Sequence, residues 1–126
     1  MDKVTILNSY QLEEYTLHRV KPEGFIDFGG KRDSLAFDYA ALAVQWGIEK
    51  ESLDMITAGN LTFKEAMSVN IKETRFTPER TVLISAEVVP DILVKLRDSG
   101  RNPGLDTQRE IITVKKMISV VGGKKS

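Results

Sequence analysis

The spacing of apolar residues changes several times along the chain, and each change predicts a new secondary-structure element. Short β-branched or alternating runs predict strands over residues 4–7, 15–20 and 25–28. Pro22 and Gly24 favour a turn between the last two of these strands. We therefore expect the chain to begin with a small antiparallel meander.

From Ser34 the apolar residues follow helical spacing instead. The apolar stripe extends to Trp46, with Asp33 placed to act as the N-cap and Gly47 placed to end the helix. Residues 49–58 predict a second helix. The link between the two helices is short, so we expect them to be neighbours in space.

The middle of the chain predicts a long β-hairpin. Residues 62–65 have the spacing of a helix capping box, but apolar and polar residues alternate after them. We favour a strand over residues 66–76, preceded by a turn of helix. A turn at residues 77–80 joins it to a second strand over residues 81–88.

The last quarter of the chain contains one clear helix and one ambiguous segment. Pro90 suits the first turn of a helix that ends before Gly100. Residues 110–121 carry apolar side chains at helical spacing behind a second capping box, but they are rich in β-branched residues that also alternate. We favour a strand there, with an exposed edge that pairs with another copy, and a helix is the alternative. Residues 122–126 are expected to form a flexible tail.

Together these elements predict an α+β fold, with an antiparallel or mixed β-sheet and two to three helices packed on one face. The chain has 126 residues, which suffice for one hydrophobic core, and its hydrophobic share of 41% is ordinary for a globular protein. We therefore expect a single compact domain over residues 1–121.

Composition removes several classes of chemistry. The chain has no cysteine, which excludes a disulfide scaffold, a thiolate zinc site and a cysteine nucleophile. It contains no run of about 18 apolar residues, and its N-terminus lacks the pattern of a secretory signal. We expect a cytoplasmic protein that does not bind membranes.

Charge is balanced overall but uneven along the chain. The formal net charge is zero, so bulk affinity for nucleic acid is not expected. Residues 1–94 contain 10 basic and 15 acidic side chains, a net charge of −5, whereas residues 95–126 contain 8 and 3, a net charge of +5. A solubilising surface is the simpler explanation. Opposite charge on two parts of one chain also suits self-association, and we expect a homo-oligomer.

The stretch FGGKRDSLAF, residues 28–37, is the sharpest chemical signal. Two glycines ahead of a helix start would let backbone N–H groups approach an anion, with charge from Lys31 and Arg32 and a hydroxyl from Ser34. The pattern is not a P-loop, and Asp33 would satisfy some of the same donors. A capped strand-to-helix turn is therefore favoured over a phosphate site.

The loop SGRNPG, residues 99–104, is a second candidate for anion binding. Arg101 and the later Arg109 have the forked shape that grips phosphate or carboxylate, and Asn102 lies beside the first of them. A solvated connection is again the simpler interpretation. If both loops share one edge of the fold, they would hold a nucleotide or another small anion, with an aromatic ring stacked on its base.

Signals for catalysis are sparse, and no catalytic residue is assigned. His18 is the only histidine, and a surface or pairing role is favoured over acid–base catalysis. No spacing typical of a metal site, nucleophile elbow or cofactor fingerprint occurs, so we expect neither metal nor cofactor. The leading hypothesis is a non-catalytic binding protein for a small anionic ligand or a protein partner, acting as an inhibitor or sequestering protein. The alternatives are a small enzyme for a phosphorylated or nucleotide substrate, with His18 as acid or base, and a structural assembly subunit.

Overall fold

Strands that close into a barrel form the framework of the fold. The computed structural model describes residues 2–23 and 34–123. Within these ranges the strands are β1 (Asp2–Leu12), β2 (Tyr15–Pro22), β3 (Ser34–Asp38), β4 (Met67–Lys72) and β5 (Glu79–Ser85). They follow the order β1, β2, β3, β5, β4 around the barrel. Neighbouring strands are antiparallel, except that β1 and β4 run parallel.

Within the same ranges, five α-helices pack against the outside of this barrel. They are α1 (Tyr39–Trp46), α2 (Lys50–Ala58), α3 (Leu61–Glu65), α4 (Val89–Ser99) and α5 (Thr107–Gly122), and a 3₁₀ turn (Ala86–Val88) joins β5 to α4. The fold is mixed α+β and compact, as expected. The expectation of two to three helices on one face of a sheet is wrong, because the sheet closes and carries more helices. The assignment of residues 1–121 to a single domain stays a prediction.

The first two predicted strands are confirmed and are longer than their apolar runs. β1 and β2 pair antiparallel along most of their lengths, and the register shifts between Ile6 and Asn8. Leu7 is the extra residue of this β-bulge, which locally bends and twists the strand. The proposed third strand at residues 25–28 lies outside the described residues.

The prediction that a helix begins at Ser34 is wrong, because residues 34–38 form β3. This segment pairs with β2 on one side and with β5 on the other. Ala36 joins the apolar cluster inside the barrel, whereas Phe37 joins the core between the barrel and the helices. Each face of the strand is thus buried against a different partner, which a single helical face would not allow.

α1 begins at Tyr39, and its N-cap is Asp38. The Asp38 carboxylate accepts a hydrogen bond from the backbone N–H of Ala41 at 3.2 Å. The cap predicted at Asp33 lies outside the described residues. Gly47 ends the helix in the left-handed conformation, with φ of 64°, as predicted. α2 and α4 confirm the other two predicted helices.

Two apolar clusters hold the elements together. The smaller lies inside the barrel and consists of Val4, Val20, Ala36 and Leu83. The larger lies between the outer face of the barrel and the helices, and its members include Tyr15, Leu17, Phe37, Ile84, Leu42, Trp46, Leu93 and Val114. Most apolar burial therefore comes from docking helices on the barrel, and the barrel interior is a minor part of the core.

The predicted hairpin is confirmed as β4 and β5, which share six residue pairs. Its bounds differ from the prediction, because β4 ends at Lys72, β5 begins at Glu79 and residues 86–88 form the 3₁₀ turn. The seam between β1 and β4 is much shorter, with two residue pairs at Asp2 and Lys3 of β1. Just beyond it, the Asn70 side chain donates a hydrogen bond to the backbone carbonyl of Val4 at 2.9 Å. The barrel therefore closes at one end of β1, and the rest of β1 extends past β4.

The C-terminal segment forms the helix α5, so the preference for a strand is wrong. The buried residues of α5 recur every three or four positions, and they are Thr107, Glu110, Val114, Met117 and Val121. Burial of this face outweighs the strand preference of the β-branched residues. The N-cap is Asp106, whose carboxylate accepts from the backbone N–H of Arg109 at 3.1 Å. α5 includes Gly122, where the tail was expected to begin, and residues 124–126 lie outside the described ranges.

Candidate functional site

One end of the barrel opens into a cavity of about 450 Å³, which we call the mouth cavity. Val4, Val20 and Ala36 form its floor, and all three belong to the cluster inside the barrel. Ser68 and Ser85 line its walls. The volume lies within the range of about 300 to 1,000 Å³ that is usual for small-molecule pockets. As far as the described residues define it, the interior of the barrel is therefore open to a small molecule from this end.

Three carboxylates stand at the rim of the mouth cavity. Asp2 begins β1, Glu65 is the last residue of α3, and Glu87 lies in the 3₁₀ turn after β5. All three residues are exposed, and none of their side chains makes a hydrogen bond or ion pair with another described residue. Because all three carry a negative charge, the described part of the rim favours a cation over an anion.

Hydroxyl groups add neutral hydrogen-bonding positions to the mouth cavity. Ser34 and Thr62 are exposed at its rim, whereas Ser68 and Ser85 are half-buried deeper inside. Ser34 was predicted to help bind an anion, and it does line a cavity. The described residues around it are acidic or neutral, however, which does not favour an anion at this position.

A second depression lies on the outer face of β1, β4 and β5, and we call it the outer groove. Its volume is about 300 Å³. It is lined by Lys3, Val69, Ile71, Arg80 and Val82. Neither of its two cations forms an ion pair within the described part of the chain. Two free cations beside three apolar side chains suit an anionic group that carries an apolar body.

A third pocket of about 400 Å³ lies beside α2 and α3 and is mainly apolar. The Tyr39 hydroxyl donates to Asp54 Oδ1 at 2.7 Å and lies 2.8 Å from Thr57 Oγ1. Burial raises the pKa of Tyr39 above its usual range, so its hydroxyl stays protonated. Lys50 Nζ lies 3.6 Å from the second oxygen of Asp54. Asp54 and Thr57 of the lining therefore already have protein partners, and Lys64 is the one charged lining residue without an ion pair in the described part of the chain.

His18 lies inside the barrel and does not line the mouth cavity. It is 7% exposed, and its Nδ1 is 2.6 Å from the Ser9 hydroxyl. Its Nε2 is buried without a hydrogen-bond partner in the described structure. Burial lowers the pKa of His18 below its usual range, although the negative charge of Asp38 opposes this effect. The imidazole is therefore predominantly neutral at pH 7.

The residues predicted to bind an anion do not meet in one described cavity. Lys31 and Arg32 lie outside the described residues. Arg101 extends from the loop between α4 and α5 towards Met55, whose sulfur is 3.7 Å away. The Asn102 side-chain nitrogen is buried and has no hydrogen-bond partner in the part of the chain described. A joint anion site therefore stays a prediction.

Arg109 is held by carboxylates of the protein itself. Its guanidinium donates to both oxygens of Glu13, at 2.9 and 3.0 Å, and to Glu110 at 2.5 Å. The hydrogen bonds from Arg109 lower the pKa of the Glu13 carboxyl below its usual range. These contacts join α5 to the turn between β1 and β2. The charge of Arg109 is therefore paired within the protein and does not require a ligand.

The rim carboxylates of the mouth cavity were missed at the sequence level. Asp2, Glu65 and Glu87 are far apart in the chain, and only the barrel topology brings them together. A weak signal did exist, because Glu65 and Glu87 lie within two residues of a predicted strand end. A charged residue at such a position is also typical of an ordinary loop, so it does not single out a site.

Comparisons with protein-family models, with curated proteins and with solved structures find no match to this chain. The described residues contain no group of three or more histidine, aspartate or glutamate side chains arranged to hold a metal ion. Across the same ranges, no helix has both the length and the apolar character to cross a membrane. The geometry and charge of the cavities are therefore the main indication of function.

Proposed function

We propose that this protein is a non-catalytic binding protein that holds a small molecule with an apolar body and a protonated amine in the mouth cavity. The observation that carries the proposal is a cavity with an apolar floor and three exposed acidic residues in its lining, whose side chains have no partner among the described residues. The floor of Val4, Val20 and Ala36 would contact the apolar body, and the rim would contact the amine. The hydroxyls of Ser68 and Ser85 would bond to any polar group between them.

The expected affinity for a simple ligand is modest. Burial of apolar groups contributes about 0.8 kcal/mol per CH₂, and part of that gain is lost to the cost of association. Contacts with the exposed rim are weakened by salt because ions screen solvent-exposed charges. For hexylamine, which has seven non-hydrogen atoms, we expect a dissociation constant on the order of 0.1 to 1 mM. A natural ligand that fills the cavity would bind more tightly.

A role in sequestering the ligand fits this site better than the enzymatic alternative. For His18 to act as acid or base, its ring would have to contact a substrate, but the ring is buried beneath the floor residue Ala36, with which it pairs, and is not among the described residues that line the cavity. A binding protein needs a shaped surface and no such contact. The structural-subunit alternative makes no use of an open cavity.

The outer groove supports a second candidate, which keeps the prediction of an anionic ligand. Lys3 and Arg80 would hold a carboxylate or phosphate there, and Val69, Ile71 and Val82 would contact its apolar part. The groove is smaller than the mouth cavity, at about 300 against 450 Å³, so we rank it second. A nucleotide would be tested in the same way as a simple acid.

Amide chemical shifts measured by two-dimensional NMR would test both candidates in one experiment. Hexylamine, hexanol, hexanoate and adenosine monophosphate would be titrated separately into labelled protein. We expect hexylamine to shift the amides of Val20, Ala36, Ser68 and Ser85 more than hexanol, and hexanoate to leave them unchanged. Shifts from hexanoate or the nucleotide around Val69 and Arg80 would support the second candidate. Shifts from hexylamine no larger than those from hexanol would overturn the amine proposal.

A further inference from the structure

The loop between β4 and β5, residues 73–78, carries the most exposed large apolar residue in the described part of the chain, and we call this loop the tip. That residue is Phe76, which is 89% exposed. The Thr74 hydroxyl donates a hydrogen bond to the backbone carbonyl of Thr77, on the far side of Phe76 in the chain. Pro78 follows with a fixed φ. Both features limit the conformations of the tip, so less entropy is lost when a partner binds it.

A free cation lies next to the exposed ring. Arg75 precedes Phe76 and forms no ion pair in the described part of the chain. Residues 72–80, the tip and the strand ends beside it, contain three basic and two acidic side chains, a net charge of +1. The tip therefore combines an apolar body with a cationic group, which is the chemistry proposed above for the ligand of the mouth cavity.

The mouth cavity has the size and the lining to accept an aromatic ring. Besides its apolar floor, its described lining includes the half-buried apolar residues Leu35, Met67 and Val88. Its volume of about 450 Å³ is that of a pocket for a small molecule, and a single phenyl ring is smaller than most such ligands. The acidic residues of the described rim complement the charge of Arg75.

The tip and the mouth cavity lie at opposite ends of the barrel. The cavity is lined by Met67 at the start of β4 and by Ser85 at the end of β5, whereas the tip joins Lys72 to Glu79 at the other ends of the same strands. A strand rises about 3.3 Å per residue, so the length of β4 separates the two features within one chain. The tip is thus placed to meet the mouth cavity of a second copy stacked end to end.

We propose that the tip of one copy inserts into the mouth cavity of a second copy, with the Phe76 ring on the apolar floor and the Arg75 guanidinium at the acidic rim. This inference rests on the site of the proposed function, since it uses the same floor and rim. The contact joins two different surfaces, so its repetition builds a row of copies or a closed ring. A ligand in the mouth cavity would exclude the tip, so ligand binding and assembly oppose each other.

Sedimentation equilibrium of the full chain is the first test. We expect the average mass to rise with concentration between about 1 and 200 μM, the range of many weak protein complexes. Phe76→Ala removes the ring that anchors the contact and is expected to weaken association by about tenfold or more. The matched control is Ile112→Ala, at an exposed apolar position of α5, and it should leave association unchanged. A wild type that stays monomeric at every concentration, or an equal effect of the two substitutions, would overturn the proposal.

A mixture of two variants tests whether the tip meets the mouth cavity. One variant is Phe76→Ala, and the other is Glu65→Lys/Glu87→Lys, which reverses the charge at two exposed positions of the rim. Each variant alone is expected to stay monomeric where the wild type associates. The mixture should form a complex of one copy of each, because one variant keeps the mouth cavity and the other keeps the tip. A mixture that stays monomeric, or a rim variant that associates as strongly as the wild type, would contradict the contact.

Hexylamine separates failure of this inference from failure of the proposed function. Because hexylamine and the tip would occupy the same cavity, hexylamine should dissociate wild-type copies more effectively than hexanol does. Its affinity measured in Phe76→Ala is free of this competition. Binding of hexylamine to that variant, with no association of the wild type, would overturn this inference alone. Association that requires both Phe76 and the rim, with no binding of hexylamine, would support this inference and overturn the small amine as the ligand.

Discussion

Tyr15 donates the hydrogen of its phenol to the carboxylate of Glu110, 2.9 Å away and 95 positions later in the chain. The Trp46 indole donates in turn to the Tyr15 oxygen at 2.7 Å. Glu110 is 3% exposed, and its oxygens also accept from Gln45 and Arg109. This hydrogen-bond network links β2, α1 and α5. The buried carboxylate of Glu110 therefore has hydrogen-bond partners on all three elements.

The substitution Tyr15→Phe should destabilise the fold. It removes the hydroxyl and leaves the indole N–H of Trp46 buried without its partner, which costs about 1 to 3 kcal/mol. Urea unfolding monitored by circular dichroism would measure the loss. The control Gln108→Ala, at an exposed position of α5, should change stability by less than about 0.5 kcal/mol. Equal effects of the two substitutions would contradict the role given to the network.

Acidification should weaken the fold through His18. Its pKa is lowered in the folded protein from 6.5, so the unfolded chain binds a proton first as the pH falls. The stabilisation that the neutral His18 gives to the folded protein is therefore fully present above pH 6.5. It is lost progressively as the pH falls from 6.5 to the folded pKa. Proton NMR of the imidazole should give a folded pKa below 6.5, and urea unfolding should show that the free energy of unfolding falls as the pH is lowered through 6.5.

The variant His18→Gln is the control for the pH effect. Whatever its stability at pH 8, the variant should not show the part of the fall in unfolding free energy that comes from His18, because glutamine does not titrate. A folded pKa above 6.5 for His18, or an unchanged pH dependence in the variant, would contradict the effect of burial described for this ring.

Alanine substitutions at Gly47 and Gly104 would show how backbone conformation affects the stability of the fold. Gly47 has φ of 64°, which is unfavourable for residues with a Cβ, so Gly47→Ala should cost about 1 kcal/mol. Gly104 has no such φ, and a Cβ there would meet open space, so Gly104→Ala should be neutral or stabilising by up to about 1 kcal/mol. Thermal unfolding of both variants would compare them, and a reversed order would show that the end of α1 is misassigned.

The sequence pattern predicted the elements that depend on local signals. Gly47 and Gly100 both adopt the left-handed conformation that ends a helix, and the alternation around Val69 gave the hairpin of β4 and β5. These features follow from the conformational preferences of a few neighbouring residues. For that reason they were readable without knowledge of the tertiary structure.

Two elements were mispredicted because tertiary contacts decide them. Residues 34–38 fit a helical stripe, but pairing with β2 and β5 makes them a strand. Residues 110–121 favour a strand by composition, but burial of Val114 and Met117 among the helices makes them a helix. In each case the segment that decides the structure is distant in the chain, so the local pattern of residues could not predict the contact.

The mouth cavity could not be predicted from the sequence for the same reason. Ser34 was named as a candidate, but its neighbours in the cavity come from almost every strand of the barrel. Acidic residues such as Glu65 and Glu87 look like ordinary surface charges until the barrel closes. The sequence therefore predicted an anionic ligand, whereas the acidic residues of the described rim favour a cationic one.

The affinity for hexylamine in paired charge variants tests the proposed site most directly. Isothermal calorimetry at low salt would compare the wild type with Glu65→Gln/Glu87→Gln at the rim, and with Glu73→Gln/Glu79→Gln, which removes the same charge from the other end of the hairpin. We predict that the rim variant weakens binding at least fivefold and that the control stays within twofold of the wild type. Equal affinities in all three proteins would contradict the mouth cavity as an amine-binding site.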